Sequence, residues 1–577
     1  MDSSAILRGA WVLTIRMRDR APLYPAIARR FLSLRTRGMA RAAMGLCLIV
    51  GSACSPMRDG DAPYVRLPQG SYRARPAEAG VIAFLGIPYA RAPIGALRWQ
   101  EAQPPLPTAS TVDATEFGPS CRQAIDSVEV ASLWRQDEDC LSVNVWTRAG
   151  DGPPRPVMVW LHGGANVSGG TADPLYAGHH LVRDNEVVFV SVNYRLGPFG
   201  FLDLSAVGGT AMRRSRNLGL LDQLAALRWV RAHIGAFGGD STNITIFGES
   251  AGGSAVMRLL AMPAARGLFD KAIIQSGGPA NIAVKGYPKS DDIGIAQALA
   301  HRFMQEAGTP DLAALQALPG DSVLAVAARV ARAGGDRLGV STWGARVDGE
   351  VLPTDIFGDI WCGVNPDVPV LIGTNEDEML YFRLYDPDFE RNLMREYHEK
   401  GTAMGRDFSR VRALADRFTD GSDEPRRYVE FAGEFWLRQP SIILAEGQSR
   451  HANVFMYLFA WDSKVPGLGA SHAMEIPFVF GHLGPEVASL TGPQPPATLS
   501  RRIQSAWVAF ATSGDPSVAG EPRWPRYRAG SRATMRLVDG PWTVEFDPQG
   551  DARRLLRPMF DVPLPFDTVA PGQRQPR

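Results

Sequence analysis

The stretch Ile244-Thr245-Ile246-Phe247-Gly248-Glu249-Ser250-Ala251-Gly252 decides how this chain is read. Its first four residues are an apolar run of β type, and a helix-like run, Ser254 to Leu260, comes after it. Between them lies G-x-S-x-G, in the context of a nucleophile elbow, where a serine sits on a strained strand-to-helix turn. Small flanking residues let the backbone bend sharply. The bend exposes the hydroxyl and aims the helix N-terminus at the point where negative charge develops. Chance alone supplies the bare pattern about 0.3 times in a chain of this length and glycine content. A glycine-rich turn with a surface serine is therefore the competing reading until the neighbouring sequence is weighed.

Outward from the elbow, two more continuous apolar runs stand out. Val157 to Leu161 ends in His162-Gly163-Gly164, and Val187 to Val192 ends in Asn193-Tyr194-Arg195. Both suit strands covered on two faces. Between Asp222 and Phe237 the period changes, with Leu224, Leu227, Val230 and Ile234 at helical intervals. Further strands are predicted at Val81 to Tyr89, Val368 to Ile372 and Val454 to Leu458. Residues 61–75 read as a leading segment or a first strand, 88–107 and 152–156 as proline-rich loops, and roughly 380–450 as mostly helical. Strands alternating with helices imply an α/β fold with a mostly parallel central sheet, flanked by helices and carrying helical insertions. No internal repeat, transmembrane span or long linker is legible.

A serine hydroxyl is a weak nucleophile at neutral pH. It needs a base, an oriented group behind that base, and donors for the oxyanion. His162-Gly163-Gly164-Ala165, directly after a strand, offers the donors, because glycine lets backbone N–H groups approach the reacting atom. The N–H groups of Gly163, Gly164 and Ala251 are the assigned set.

The ordered signposts extend along nearly the whole chain. They are Phe84-Leu85-Gly86-Ile87-Pro88-Tyr89-Ala90, Glu138-Asp139-Cys140-Leu141-Ser142-Val143-Asn144-Val145, the H-G-G motif, Asn193-Tyr194-Arg195-Leu196-Gly197, Phe237-Gly238-Gly239-Asp240, Phe247 to Gly253, Gln275-Ser276-Gly277 and Phe510 to Pro516. From about residue 64 to 530 the chain resembles the type-B carboxylesterases, the carboxylesterase/cholinesterase family of α/β-hydrolases. The resemblance implies a glutamate as triad acid in G-x-N-x-D-E-G. Here that segment reads Gly373-Thr374-Asn375-Glu376-Asp377-Glu378-Met379, so the acid is Glu378, with Asp377 and Glu376 as fallbacks and Met379 in place of a glycine. It implies a base in H-G-x-E-[LI]-P-[FY]-V-F-G. His472-Ala473-Met474-Glu475-Ile476-Pro477-Phe478-Val479-Phe480-Gly481 matches, with Ala473 in place of a glycine, so His472 is the base and His398 and His451 are surface residues. Glu249 and Ser276 resemble supporting positions beside the site.

The function these residues imply is hydrolysis of a small-molecule ester through an acyl-enzyme, with no cofactor and no metal. The alternatives are an amide, carbamate or thioester hydrolase with the same triad, and a non-catalytic binding relative. The latter loses the serine or the histidine, and this chain keeps both. A cholinesterase-like specificity would need an aromatic box for a quaternary ammonium, for which Trp134 is the one candidate.

The chain has 577 residues, 45% of them hydrophobic, with 61 basic and 60 acidic side chains and a net charge of +1. No global field draws nucleic acid. Oligomeric state is not legible. Residues 1–54 read as a leader: many arginines, the apolar run Ala42 to Val50, small residues Gly51-Ser52-Ala53, then Cys54. That order resembles a bacterial lipoprotein signal with Cys54 lipidated, although Gly51 stands where leucine is preferred. Ordinary cleavage after Ala53 is the equal alternative, and Met39 would make a conventional start for such a signal. Either way the protein is exported: periplasmic, secreted or lipid-anchored, with membrane contact only through that anchor. Residues 61–566 form one domain and 567–577 a flexible tail. Of the five cysteines, two lie in the leader. Cys121 and Cys140 are left as a candidate pair closing a short loop, against two separate reduced thiols, and the family resemblance implies that they pair. Cys362 reads as a buried apolar thiol.

Overall fold

The computed structural model describes residues 63–560 except 77, 125–134, 151, 279–292, 334–341 and 400–407. The leader with Cys54, the 567–577 tail and Trp134 lie outside the described residues.

Twelve strands carry the sheet path: β1 (Tyr64–Leu67), β2 (Gly70–Pro76), β3 (Val81–Pro88), β4 (Ser142–Arg148), β5 (Arg155–Leu161), β6 (Val188–Val192), β7 (Gly239–Glu249), β8 (Lys271–Gln275), β9 (Val370–Asn375), β10 (Val454–Phe459), β11 (Ala533–Leu537) and β12 (Thr543–Phe546). A thirteenth, Thr111–Ala114, pairs with β2. Their spatial order is β1-β2-β3-β4-β6-β5-β7-β8-β9-β10-β11-β12. The run from β6 to β11 is parallel throughout, and the strands at both ends are antiparallel. The chain passes from β5 to β6 on one side, then returns to place β7 on the other side of β5. The strand order therefore reverses between β5 and β7, the kind of switch point beyond whose strand carboxyl ends open α/β sheets bind their ligands.

The continuous apolar runs are explained by burial on both faces. Along β5, Val157, Val159 and Leu161 enter one core while Met158 and Trp160 enter the other. In β7, Ile244 and Ile246 go one way and Phe247 the other. Helix α1 (Leu218–His233) lays Leu220, Leu224, Leu227 and Val230 into the first core. Helix α2 (Ala251–Ala261) continues from the elbow, and α3 (Ala497–Ser513) covers the second core with Ile503, Trp507 and Phe510. At about 0.8 kcal/mol per buried methylene, these two cores are the main favourable term of the fold.

Motif residues that do no chemistry have structural work here. Arg195 is buried with its guanidinium on Asp222 of α1, Nε to Oδ2 at 2.7 Å and Nη2 to Oδ1 at 2.6 Å, which ties the end of β6 to the next long helix. The region after β9 is helical as expected, with helices at Phe389–Glu399, Phe408–Phe418, Pro425–Gly433 and Gln439–Gln448. Cys121 and Cys140 form a disulfide. Cys362 corrects the sequence reading: it is exposed. The helix Ile356–Cys362 buries Ile356, Phe357, Ile360 and Trp361, which leaves its last residue on the outer face beside the left-handed cap Gly363. Among the described residues no helix is long and apolar enough to cross a membrane.

Candidate active site

Ser250 stands between β7 and α2 with φ 56° and ψ −118°, a conformation that L-residues rarely adopt. Surrounding packing imposes it. Gly248 pairs with Leu161 in the ladder. A Cβ on Gly252 would lie 1.9 Å from the Leu161 carbonyl oxygen, so α2 can dock this closely on β5 only through glycine. The Ser250 amide donates to Gln275 O on β8 at 3.0 Å. Ser250 occupies the N-cap of α2 without a side-chain capping bond, so its hydroxyl is not spent on the helix.

The turn after β5 faces this serine: a Cβ on Gly163 would lie 3.3 Å from Ser250 Cβ. Carbonyl partners set the direction of its amides. Tyr194 Oη donates to His162 O at 2.6 Å, and His162 Nδ1 bonds Gly163 O at 2.8 Å. The amides of Val167 and Ser168 both donate to Gly164 O at 3.0 Å. In a trans peptide the N–H points opposite the C=O. Each engaged carbonyl therefore turns the next N–H, of Gly163, Gly164 and Ala165, the other way. Ala165, with φ 54°, is a donor position that the sequence reading left out. His162 itself is buried and stacked on Tyr194 with ring centroids 4.4 Å apart; burial lowers its pKa to about 4, so it is a neutral clamp. The Ala251 N–H is the first of α2 and has no acceptor within the helix.

His472 lies in the loop after β10, with Nδ1 2.6 Å from Glu378 Oε2. Glu378 comes just after β9 and is buried. Its Oε1 accepts from Ser276 Oγ at 2.6 Å and from the Asn375 amide at 2.8 Å, and its own carbonyl accepts the His472 amide at 3.0 Å. The fallback acids have other partners: Asp377 binds Arg426 and the Ala470 amide, and Glu376 binds Arg536 at 2.7 Å through both oxygens. His398 bonds Tyr428 Oη, and His451 bonds Trp361 O. His451 is exposed as expected, whereas His398 is half-buried.

Both glycine replacements, beside Glu378 and His472, are accommodated. Met379 is buried in the core near Gly433. Ala473 takes φ 65°, the left-handed region a glycine would adopt without strain.

Three buried glutamates surround the one imidazole. Glu249 Oε1 lies 3.0 Å from His472 Nε2, yet accepts no hydrogen bond, so the ring N–H is not aimed at it. Burial raises the Glu249 pKa to about 8, against the pull of His472. For His472, burial disfavours the cation, but Glu249 and Glu378 outweigh it and the pKa is raised. Glu475 completes the set, holding Gln275 Nε2 at 3.0 Å and Asn375 Nδ2 at 2.6 Å; burial raises its pKa too. Asn375 Nδ2 also donates to Ser471 O at 2.7 Å, which fixes the backbone next to His472. Gln275, Asn375 and Glu475 had no role in the sequence reading, although each stands inside one of the quoted motifs.

Comparison with known proteins agrees with this architecture. The carboxylesterase family matches residues 63–549. Para-nitrobenzyl esterase of Bacillus subtilis (strain 168) is 38% identical over 493 residues, covering 83% of this chain and 96% of that protein. Phenmedipham hydrolase of Pseudarthrobacter oxydans is 30% identical over 480 residues, covering 80% and 92%. A solved thermophilic PNB esterase superposes with a TM-score of 0.75 at 36% identity, covering 85% of this chain and 99% of that one. A sheet that reverses order at β5 and β7, an elbow serine and a matching family over most of its length together make this chain a member of the carboxylesterase family, an α/β-hydrolase that cleaves carboxylic esters.

Proposed function

We propose that Ser250, His472 and Glu378 are the catalytic triad of this esterase. The observation that carries the assignment is the 2.6 Å bond between His472 Nδ1 and Glu378 Oε2, at the same sheet edge as the elbow. A carboxylate on Nδ1 holds the tautomer whose Nε2 bears the lone pair. That nitrogen takes the Ser250 proton as Oγ attacks the ester carbonyl carbon. The oxyanion rests on N–H groups from Gly163, Gly164 and Ala251, joined by Ala165. The carbon–oxygen bond to the alcohol then breaks, and the alcohol leaves with the proton from His472. A water gives its proton to the same nitrogen and attacks the acyl carbon; the bond from that carbon to Ser250 Oγ breaks, Oγ takes the proton back from His472, and the acid leaves. Glu249 and Ser276 support this set: Ser276 orients Glu378, and Glu249 lies beside Nε2 and, together with Glu378, raises the pKa of the imidazole.

The test is hydrolysis of short-chain p-nitrophenyl esters by wild type and Ser250→Ala, with intact-mass analysis of a fluorophosphonate adduct. Loss of turnover and an adduct on Ser250 are expected. Turnover in the variant, or an adduct elsewhere, overturns the assignment. The relative named for phenmedipham hydrolysis makes that compound a second substrate to assay.

The leader supports export, and the Cys121–Cys140 disulfide suits an oxidising compartment. The mass of the mature N-terminus distinguishes lipidated Cys54 from cleavage after Ala53.

A further inference from the structure

On the far side of the second core, three imidazoles come together. His179 and His180 open the short helix His179–Asp184 that precedes β6, and His482 lies ten positions beyond His472, just past the helix Ile476–Phe480. One ring nitrogen from each forms a set whose members all lie within 4.8 Å of one another. The rings of His179 and His180 are 3.9 Å apart, and each is about 5 Å from that of His482.

We infer that His179, His180 and His482 form a binding site for a late divalent transition-metal ion of the zinc class. Nitrogens on one such ion sit at about 2.1 Å from it, so ring shifts of less than about 1 Å complete the set. Three imidazoles without a thiolate or carboxylate suit zinc, nickel or copper, and not calcium or magnesium.

The surroundings are those of a prepared site. His482 is buried, and its Nε2 donates to Ala177 O at 2.9 Å. A carbonyl can only accept, so in the neutral ring the lone pair is on Nδ1; a backbone carbonyl behind a ligand histidine is the usual orienting partner. His180 Nδ1 is a buried nitrogen with no hydrogen bond, a cost that a bound cation would remove. The rings are also held close by backbone packing. A Cβ on Gly178 would lie 2.2 Å from Phe189 of β6, and one on Gly481 would lie 3.1 Å from His180 Cβ. The nearest cation, Arg183, is paired with Asp184 at 2.7 Å.

No metal-ligand spacing is legible in the sequence, because some 300 residues separate the two halves. An ion there clamps the 177–184 segment to the stretch beyond His472. Cross-links that close long loops restrain the unfolded chain most.

The experiment uses untagged full-length protein equilibrated with zinc, with bound metal counted after dialysis and Tm recorded with and without the ion. Cobalt(II) absorption reports the geometry. One equivalent per chain, a zinc-dependent rise in Tm, and at least a tenfold loss of affinity in both His482→Gln and the double variant His179→Gln/His180→Gln are expected. Zinc retained equally by the two variants, or no zinc bound at about 100 μM free ion, overturns the site. The double variant leaves the His482–Ala177 bond in place, so its result stands even if His482→Gln fails to fold.

Discussion

The two halves of the proposed active site are built differently. The elbow half is made of backbone: Ser250, the turn after β5 and the first amide of α2 are positioned by ladder register and by glycines packed against carbonyls. The histidine half is made of side chains: His472 is held by Glu378, which is held by Ser276 and Asn375, with Glu249 and Glu475 alongside. Backbone geometry has few tolerated alternatives. A network of buried acids can lose one member and keep its shape while its proton affinities shift. Substitutions in the first half should therefore cost structure or all activity, and those in the second should grade.

The largest effect is expected at the proposed nucleophile. Ser250→Ala should lower kcat on the order of a millionfold, read as p-nitrophenyl ester turnover against the uncatalysed rate. Glu378→Gln should cost about ten-thousandfold with the fold intact, because the wrong imidazole tautomer is then favoured. A near-normal rate would mean that another acid orients His472. Gly252→Ala should destabilise by about 3 kcal/mol, because backbone rather than a flexible side chain faces the new methyl group. Denaturant unfolding measures it, and an unchanged midpoint would show that α2 can shift outward. Ser276→Ala, which removes one of two donors to Glu378 Oε1, should lower kcat/KM about tenfold at constant KM.

The pH profile sharpens the comparison. As the proposed base, His472 works only when neutral, so activity should rise with pH through its titration, which Glu249 and Glu378 shift upward. Glu249→Gln withdraws one of those carboxylates. Imidazolium is then less favoured, and the acid limb of kcat/KM should move to lower pH. An unmoved limb would mean that Glu249 stays uncharged across the profile. The smallest change is expected for Ala473→Gly, which relieves a left-handed alanine and should stabilise by up to about 1 kcal/mol, seen as a small rise in Tm.

Much of the fold and of the site is legible in the residues alone. Periodicity locates β3, β5, β6, β7, β9 and β10, because two-faced burial forces continuous apolar runs, but β4 and β8 are not read as strands; chain order places serine, acid and histidine. Glu378 is separable from Glu376 and Asp377 only by motif position; in space the distinction is plain, since the other two carboxylates are drawn off by arginines and a backbone amide. Cys362 is misread because apolar neighbours predict burial for a stretch, not for the one helix position that faces out. Ala165 is missed because the direction of an amide depends on what its neighbouring carbonyl binds.

The sequence by itself determined the class of fold, the elbow and the identity of the candidate triad, because these rest on local propensity and on residue types that the chemistry cannot replace. Only the tertiary structure decided that Glu249, Glu378 and Glu475 share one imidazole and that His179, His180 and His482 meet. These groups come from distant parts of the chain, and their properties arise from mutual distance and loss of water, which no linear spacing records.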